Sequence, residues 1–209
     1  MYQAKAMSKA IIVDLLRHGA VAAEGWAFRG RTDVALSDEG KQQMAAVAHA
    51  LRHEPLSQIA TSPMQRCRLF AEDEARARAC PLITLDAMRE MDFGDWEGRD
   101  FASLEQTDSA LLHQFWQSPE GITPPNGECF DAFSERVLAA WHTWLDGSSG
   151  EHRLLVAHGG VIRVLLSHIL TMPPAALWRI HLPYAAWSRV SLYPGCDPKV
   201  LFINQSTEN

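Results

Sequence analysis

The chain lacks metal-ligand spacings, long apolar runs and any surplus of positive charge, and each absence removes a class of function. Its four cysteines, Cys67, Cys80, Cys129 and Cys196, show no C-x-x-C spacing and no pairing with nearby histidines. A zinc site or a disulfide framework is therefore not expected, and a reducing compartment is the default reading. No apolar stretch approaches the ~20 residues that a membrane span needs. Lys5 and Lys9 precede an apolar run and faintly imitate a signal peptide, but Asp14 and Arg17 interrupt that run and no small-residue cleavage site follows. A cytoplasmic location is the expectation. With 19 Lys and Arg against 25 Asp and Glu, a net charge of −6, neither nucleic acid nor an anionic membrane is expected as the main partner. No internal repeat, low-complexity tract or domain-separating linker is present, so residues 1–209 read as one domain.

What is present is a globular composition, 47% hydrophobic and 21% charged, on a chain long enough to bury most of its apolar surface. Strand-like and helix-like segments alternate. The β-branched run Ile11 to Leu16 reads as a buried strand. Ser37 is a plausible N-cap, with Asp38 and Glu39 in the first turn of a helix whose apolar positions Met44, Val47, Ala48 and Leu51 recur at helical spacing. A short strand, Gln58 to Thr61, leads to Ser62-Pro63, which reads as N-cap plus proline at the first helical position. Leu82 to Leu85 reads as another strand, and residues 101–120 as a polar helical stretch. Phe130, Phe133, Val137, Trp141, Trp144 and Leu145 form a stripe of the kind that packs an amphipathic helix on a core. Arg153 to Ala157 resumes as a strand, followed by an apolar helix and by two closing strands, Ala186 to Leu192 and Lys199 to Ile203. This alternation predicts an α/β fold, a mostly parallel sheet with helices on both faces in three layers.

Chemistry-bearing residues fall where strands end or helices begin. Arg17-His18-Gly19 closes the first strand, and Arg66 lies in the opening turn of the helix after Ser62-Pro63. An acidic aromatic loop, Arg89 to Gly98, follows a further strand, and His158-Gly159-Gly160 joins strand to helix. In open α/β sheets ligands sit beyond the carboxyl ends of the strands. Helix N-termini and arginine forks there suit an anion, and the glycines let backbone approach it closely. Two histidines, two arginines and a carboxylate on one rim suit phosphoryl transfer, which depends on positioning and charge stabilisation. Arginines supply that charge where other enzymes use Mg²⁺. A neutral imidazole is a competent nucleophile near pH 7, and a carboxyl group is then needed to protonate the leaving alkoxide and activate water.

These stretches, in this order, resemble the histidine phosphatase (phosphoglycerate mutase-like) superfamily. The resemblance is carried by Leu16 to Gly19, Phe28 to Gly40, Thr61 to Cys67, Arg89 to Gly98, Pro125 to Glu128 and Val156 to Gly160. It implies that His18 is the residue phosphorylated, that Arg17, Arg66 and His158 surround the phosphate, and that Glu90 is the proton donor. It places Arg29 and Gly30 in a substrate-contacting loop and implies no metal or other cofactor. Alternatives stand beside these roles. Arg66 can pair with Glu72 or Asp73, the Glu90 loop can be a solvated acidic loop with Asp92, Asp95 and Glu97, and Arg29 and Arg31 can be exposed-loop arginines. Family members often carry an acidic residue where Ala20 stands here, so the loop between Ala20 and Phe28 either binds something differently or packs differently, and leaving-group recognition is the part of the resemblance this opens to question.

Mutases of this superfamily carry a basic insert with paired arginines. Residues 99–125 hold no Arg-Arg pair and no lysine, but do hold Phe101, Leu104, Leu111, Leu112, Phe115 and Trp116. The segment is expected to form a small helical cap over the pocket, suited to a bulky apolar leaving group, so a phosphatase acting on a small phosphorylated metabolite is expected. Oligomeric state is not legible. A phosphate-binding module without catalysis and a metal-dependent hydrolase are the competing classes, but the intact residue set and the lack of H-E-x-x-H disfavour them.

Overall fold

The computed structural model describes residues 10–23, 25, 27–148 and 150–205. Lys5 and Lys9, with the signal-like amino terminus, lie outside them. Apolar runs form a sheet of six strands, β1 (Ile11–Arg17), β2 (Gln58–Thr61), β3 (Leu82–Thr84), β4 (His152–Ala157), β5 (Trp187–Leu192) and β6 (Lys199–Gln205). Their order is β3-β2-β4-β1-β5-β6. The strands from β3 to β1 run parallel, and β5 and β6 add an antiparallel edge. Central parallel strands are covered on both faces, which is why β1 and β4 read as apolar runs rather than as alternating patterns.

Among the described residues six α-helices accompany the sheet: α1 (Asp38–Ala50), α2 (Gln65–Arg78), α3 (Phe101–Thr107), α4 (Ser109–Gln117), α5 (Phe130–Gly147) and α6 (Gly159–Ile169). Successive side chains of a strand point to opposite faces. Leu16 and Val156 therefore pack with Met44 of α1 and Ala71 of α2. Leu15 and Leu155 pack on the other face with Trp141 of α5 and Leu165 of α6. The expected α/β sandwich is the observed one. The α5 stripe is core: Phe130, Phe133, Val137, Trp141 and Trp144 are all buried, and each such side chain contributes roughly 1.5–3 kcal/mol by leaving water. Among the described residues no helix is long and apolar enough to cross a membrane.

Three local expectations differ. Helix α2 starts at Gln65, not at Pro63, with Met64 as its N-cap and no side-chain cap. Ser62 Oγ is engaged instead by His158 Nε2 at 2.7 Å, so tertiary contact claims the hydroxyl. The helical stretch from Phe101 splits at Asp108, whose carboxylate accepts from Thr107 Oγ1 at 2.8 Å and Arg99 Nη1 at 3.4 Å. Strand β4 begins at His152 rather than at Arg153, and His152 is buried beside Asp14.

Candidate active site

Parallel register brings the reactive residues level. Arg17 lies opposite Ala157, and Thr61 opposite Val156, so the next residues, His18, Ser62 and His158, share the carboxyl edge of the sheet. Backbone bonds fix them there: His18 N donates to Ala157 O and Ser62 N to Val156 O, each at 3.0 Å.

His18 is 7% exposed and sits in the wall of a cleft. Its Nδ1 lies 2.8 Å from Gly19 O. A carbonyl only accepts, so Nδ1 carries the proton and Nε2 keeps its lone pair. Burial, then the Arg17 and Arg66 charges, push the His18 pKa well below that of a free histidine. Arg17 donates through Nη1 to Leu182 O and lies 4.4 Å over the Tyr184 ring. Its Nε is buried with no partner, and such an unmet donor at a cleft marks a place for a ligand acceptor.

Arg66 is 1% exposed and does not pair with Glu72 or Asp73, which bind Arg68 and Arg76 instead. It donates to Thr32 O at 2.7 Å, to Gly30 O at 2.8 Å and to His158 Nδ1 at 3.3 Å. His158 therefore accepts at Nδ1 and donates from Nε2 to Ser62 Oγ, the neutral tautomer. Burial and the Arg66 charge depress its pKa well below the ordinary value. The two imidazole rings meet edge-to-face, 5.3 Å apart.

Of the acidic loop, Glu90 is the carboxylate in the cleft wall. Its Oε2 accepts from Gly160 N at 2.8 Å and its Oε1 from Met91 N at 3.1 Å. A methyl group at residue 160 would lie 2.3 Å from Glu90 Oε1, so only glycine admits this approach. Arg136 holds the loop from behind, donating to Ala87 O, Arg89 O and Glu90 O and pairing with Glu128 at 2.6 Å. The other acidic residues are turned to different uses. Asp92 pairs with Arg31, Asp95 accepts from Asn126, and Glu97 binds the 30–32 backbone.

Arg29 and Gly159 line the cleft. Gly30 stands behind it, its N–H on Glu97 and its carbonyl on Arg66. Ala20 is tied by its backbone to Gln43 and Ser37. Phe115 and Trp116 of α4 line the same cleft with Phe28, Phe93 and Trp178. Phe28 and Phe93 lie 4.9 Å apart, and Trp116 and Trp178 4.5 Å apart. Sequence reasoning missed Arg163, Trp178, Tyr184 and the bracing role of Glu97. Arg163 was findable, since it stands one helical turn after Gly159. Trp178, in the short 3-10 helix Pro174–Arg179, and Tyr184, in the loop after it, carry no motif. Among the described residues no group of three or more His, Cys, Asp or Glu is placed to hold a metal ion.

Comparison with known proteins places the chain among relatives of known family. The chain is 34% identical over 194 residues to the bifunctional protein Rv2228c of Mycobacterium tuberculosis, covering 92% of this chain and 53% of that protein. It thus spans about half the length of those mycobacterial relatives. It is 32% identical over 183 residues to the adenosylcobalamin/alpha-ribazole phosphatase of Salmonella typhimurium, covering 87% of this chain and 90% of the relative. The crystal structure of the alpha-ribazole phosphatase from Shigella flexneri superposes with a TM-score of 0.83 at 25% identity, covering 93% of this chain and 96% of that one. Residues 13–205 match the histidine phosphatase superfamily, branch 1, and the chain belongs to that family.

Proposed function

We propose that this protein is a phosphomonoester hydrolase working through a phosphohistidine on His18. The observation that carries this reading is the Nδ1–H bond of His18 to Gly19 O, which leaves an unprotonated Nε2 on the wall of an arginine-lined cleft. Nε2 attacks phosphorus, and the ester P–O bond breaks. Arg17, Arg66 and the N-terminus of α6 neutralise the charge that spreads over the equatorial oxygens. Glu90 gives its proton to the departing alkoxide. The resulting carboxylate then takes a proton from water, whose oxygen attacks phosphorus and breaks the N–P bond, releasing phosphate. His158 keeps Arg66 in place and lies against the nucleophile's ring. Arg29 contacts the substrate at the cleft mouth, and residues 99–125 act as a cap.

No step uses a metal ion, and full turnover in excess EDTA is expected. Rapid quenching with a phosphorylated substrate should trap an acid-labile phosphate on His18. No adduct, together with an active His18→Ala variant, overturns the mechanism.

The finer reading is an alpha-ribazole 5′-phosphate phosphatase of cobalamin synthesis. It is supported by the names of the relatives and by an aromatic wall suited to a planar leaving group. A higher kcat/KM for alpha-ribazole 5′-phosphate than for common sugar phosphates is expected; equal or poorer turnover returns the protein to a broad-specificity phosphatase.

A further inference from the structure

Arg163 is a cation of the cleft that the proposed mechanism leaves unused. Its hydrogen bond runs from Nε to Ile180 O at 3.1 Å, and among the described residues it has no carboxylate partner. Its Cζ lies 5.6 Å from the Trp178 ring centroid, and Trp178 in turn packs on Trp116 at 4.5 Å. A methyl group at Gly159 would lie 3.0 Å from Arg163 Nη1 and 3.4 Å from Arg17 Nε. Two guanidinium groups thus converge on one bare α-carbon at the start of α6. Both are held by backbone carbonyls of one loop, Arg163 by Ile180 and Arg17 by Leu182. Arg17, Arg66 and Arg163 share the cleft wall with one carboxylate, Glu90, so positive charge is left over for the acceptors of a ligand to meet.

Position along the cleft divides their tasks. Arg17 and Arg66 flank His18, and both depress its proton affinity, whereas Arg163 faces the Glu90 side. Glu90 Oε2 is bound to Gly160 N, next to the Gly159 that Arg163 approaches. The oxygen that Glu90 protonates belongs to the leaving alcohol. Arg163 and the Trp178–Trp116 pair line the same cleft as Glu90 and are packed together, Arg163 Cζ lying 5.6 Å from the Trp178 ring. Burial, with Arg17 beside it, lowers the Arg163 pKa to about 10, so it remains charged at neutral pH.

We infer that Arg163 is a specificity-determining residue whose Nη edge donates to an oxygen on the leaving alcohol while Trp178 and Trp116 receive a planar group. The inference rests on the phosphatase reading and narrows it to hydroxylated, nucleoside-like 5′-phosphomonoesters. Adenosine 5′-phosphate and benzyl phosphate make the test pair. Both are alkyl esters with a ring, and benzyl alcohol carries no second oxygen. The wild type should prefer adenosine 5′-phosphate. Arg163→Met should lower the ratio of the two kcat/KM values about 10- to 100-fold, the weight of one charge-assisted hydrogen bond. Arg163→Lys should recover part of that ratio. An equal loss on both substrates moves Arg163 into the phosphoryl clamp and overturns the inference, as does an unchanged ratio. A wild type that hydrolyses benzyl phosphate and no 5′-phosphorylated riboside also overturns it, yet leaves the phosphatase reading intact. A failure of that reading is seen separately, as no phosphohistidine and no turnover of either ester.

Discussion

The imidazole of His18 is buried, donates through Nδ1 and faces two guanidinium groups, so protonation at Nε2 is resisted. On the proposed mechanism, that keeps the nucleophile active at pH values where a free histidine is already charged. The acid limb of the kcat/KM profile should therefore lie below the ordinary histidine value of ~6.5. An acid limb assigned to His18 at or above that value contradicts the electrostatic account. Glu90 is testable through the leaving group. Glu90→Gln should reduce turnover of alkyl phosphates about 100-fold or more, and of p-nitrophenyl phosphate far less, because nitrophenolate departs without a proton. Equal losses on both substrates would reassign Glu90 to binding.

At the level of elements, the site is a set of strand ends joined by braced loops. Glu97 is the brace of the loop after Phe28. Its Oε1 accepts from Gly30 N and Arg31 N at 2.8 and 2.9 Å, and its Oε2 accepts from Thr32 Oγ1 at 2.6 Å. The carbonyls of Gly30 and Thr32 then orient the Arg66 guanidinium. Glu97→Ala should weaken competitive inhibition by inorganic phosphate and lower kcat/KM by about 10- to 100-fold, the range of lost bonds to a charged group. Because this brace acts through the phosphate clamp, the loss should be the same for p-nitrophenyl and alkyl phosphates. That equality separates Glu97 from Glu90. The acidic loop was visible in the sequence, and the resemblance singled out Glu90 within it, but the separate uses of Asp92, Asp95 and Glu97 were not visible. Chain spacing does not say that Glu97 reaches back more than sixty residues to the 30–32 backbone.

Across the whole molecule, the sheet carries a buried charge cluster at the end remote from the cleft. Asp14 is fully buried and accepts from Trp187 Nε1, Arg189 Nε and His152 Nε2, each at 2.7 Å. Burial opposes its ionisation, but the bonds from His152, Arg189 and Trp187 outweigh that and hold the carboxyl below its usual range. These contacts tie β1, β4 and β5 together. Asp14→Asn removes the buried anion of the cluster and leaves Arg189 and His152 only the part-exposed Glu54, at 2.9 and 3.3 Å, so a loss of about 2–3 kcal/mol is expected in urea unfolding. A loss below ~1 kcal/mol would mean the cluster is solvent-screened. The sign of the pH dependence follows from the same groups. His18 and His158 have lowered pKa values when folded, so the unfolded chain binds more protons below pH ~6.5 and stability falls as pH drops through that window. Asp14 adds its own loss further down, as pH falls through the unfolded carboxylate value of ~3.9 toward its lowered folded one. Histidine-to-asparagine replacement at residue 158 should flatten the first of these two declines.

The apolar runs, the helix stripe on α5 and the ordered motifs around His18, Arg66, Glu90 and His158 were determined by the sequence itself. Period and end-of-strand chemistry are local properties that need no partner to be read. The unanticipated features all depend on residues far apart in the chain. Ser62 gives its hydroxyl to His158 instead of capping α2, and Arg66 binds backbone carbonyls instead of a neighbouring acid. Arg163, Trp178 and Tyr184 enter the cleft from α6 and from the segment between α6 and β5. Only the folded sheet decides such contacts, because a buried polar group must satisfy its hydrogen bonds with whatever tertiary packing brings beside it.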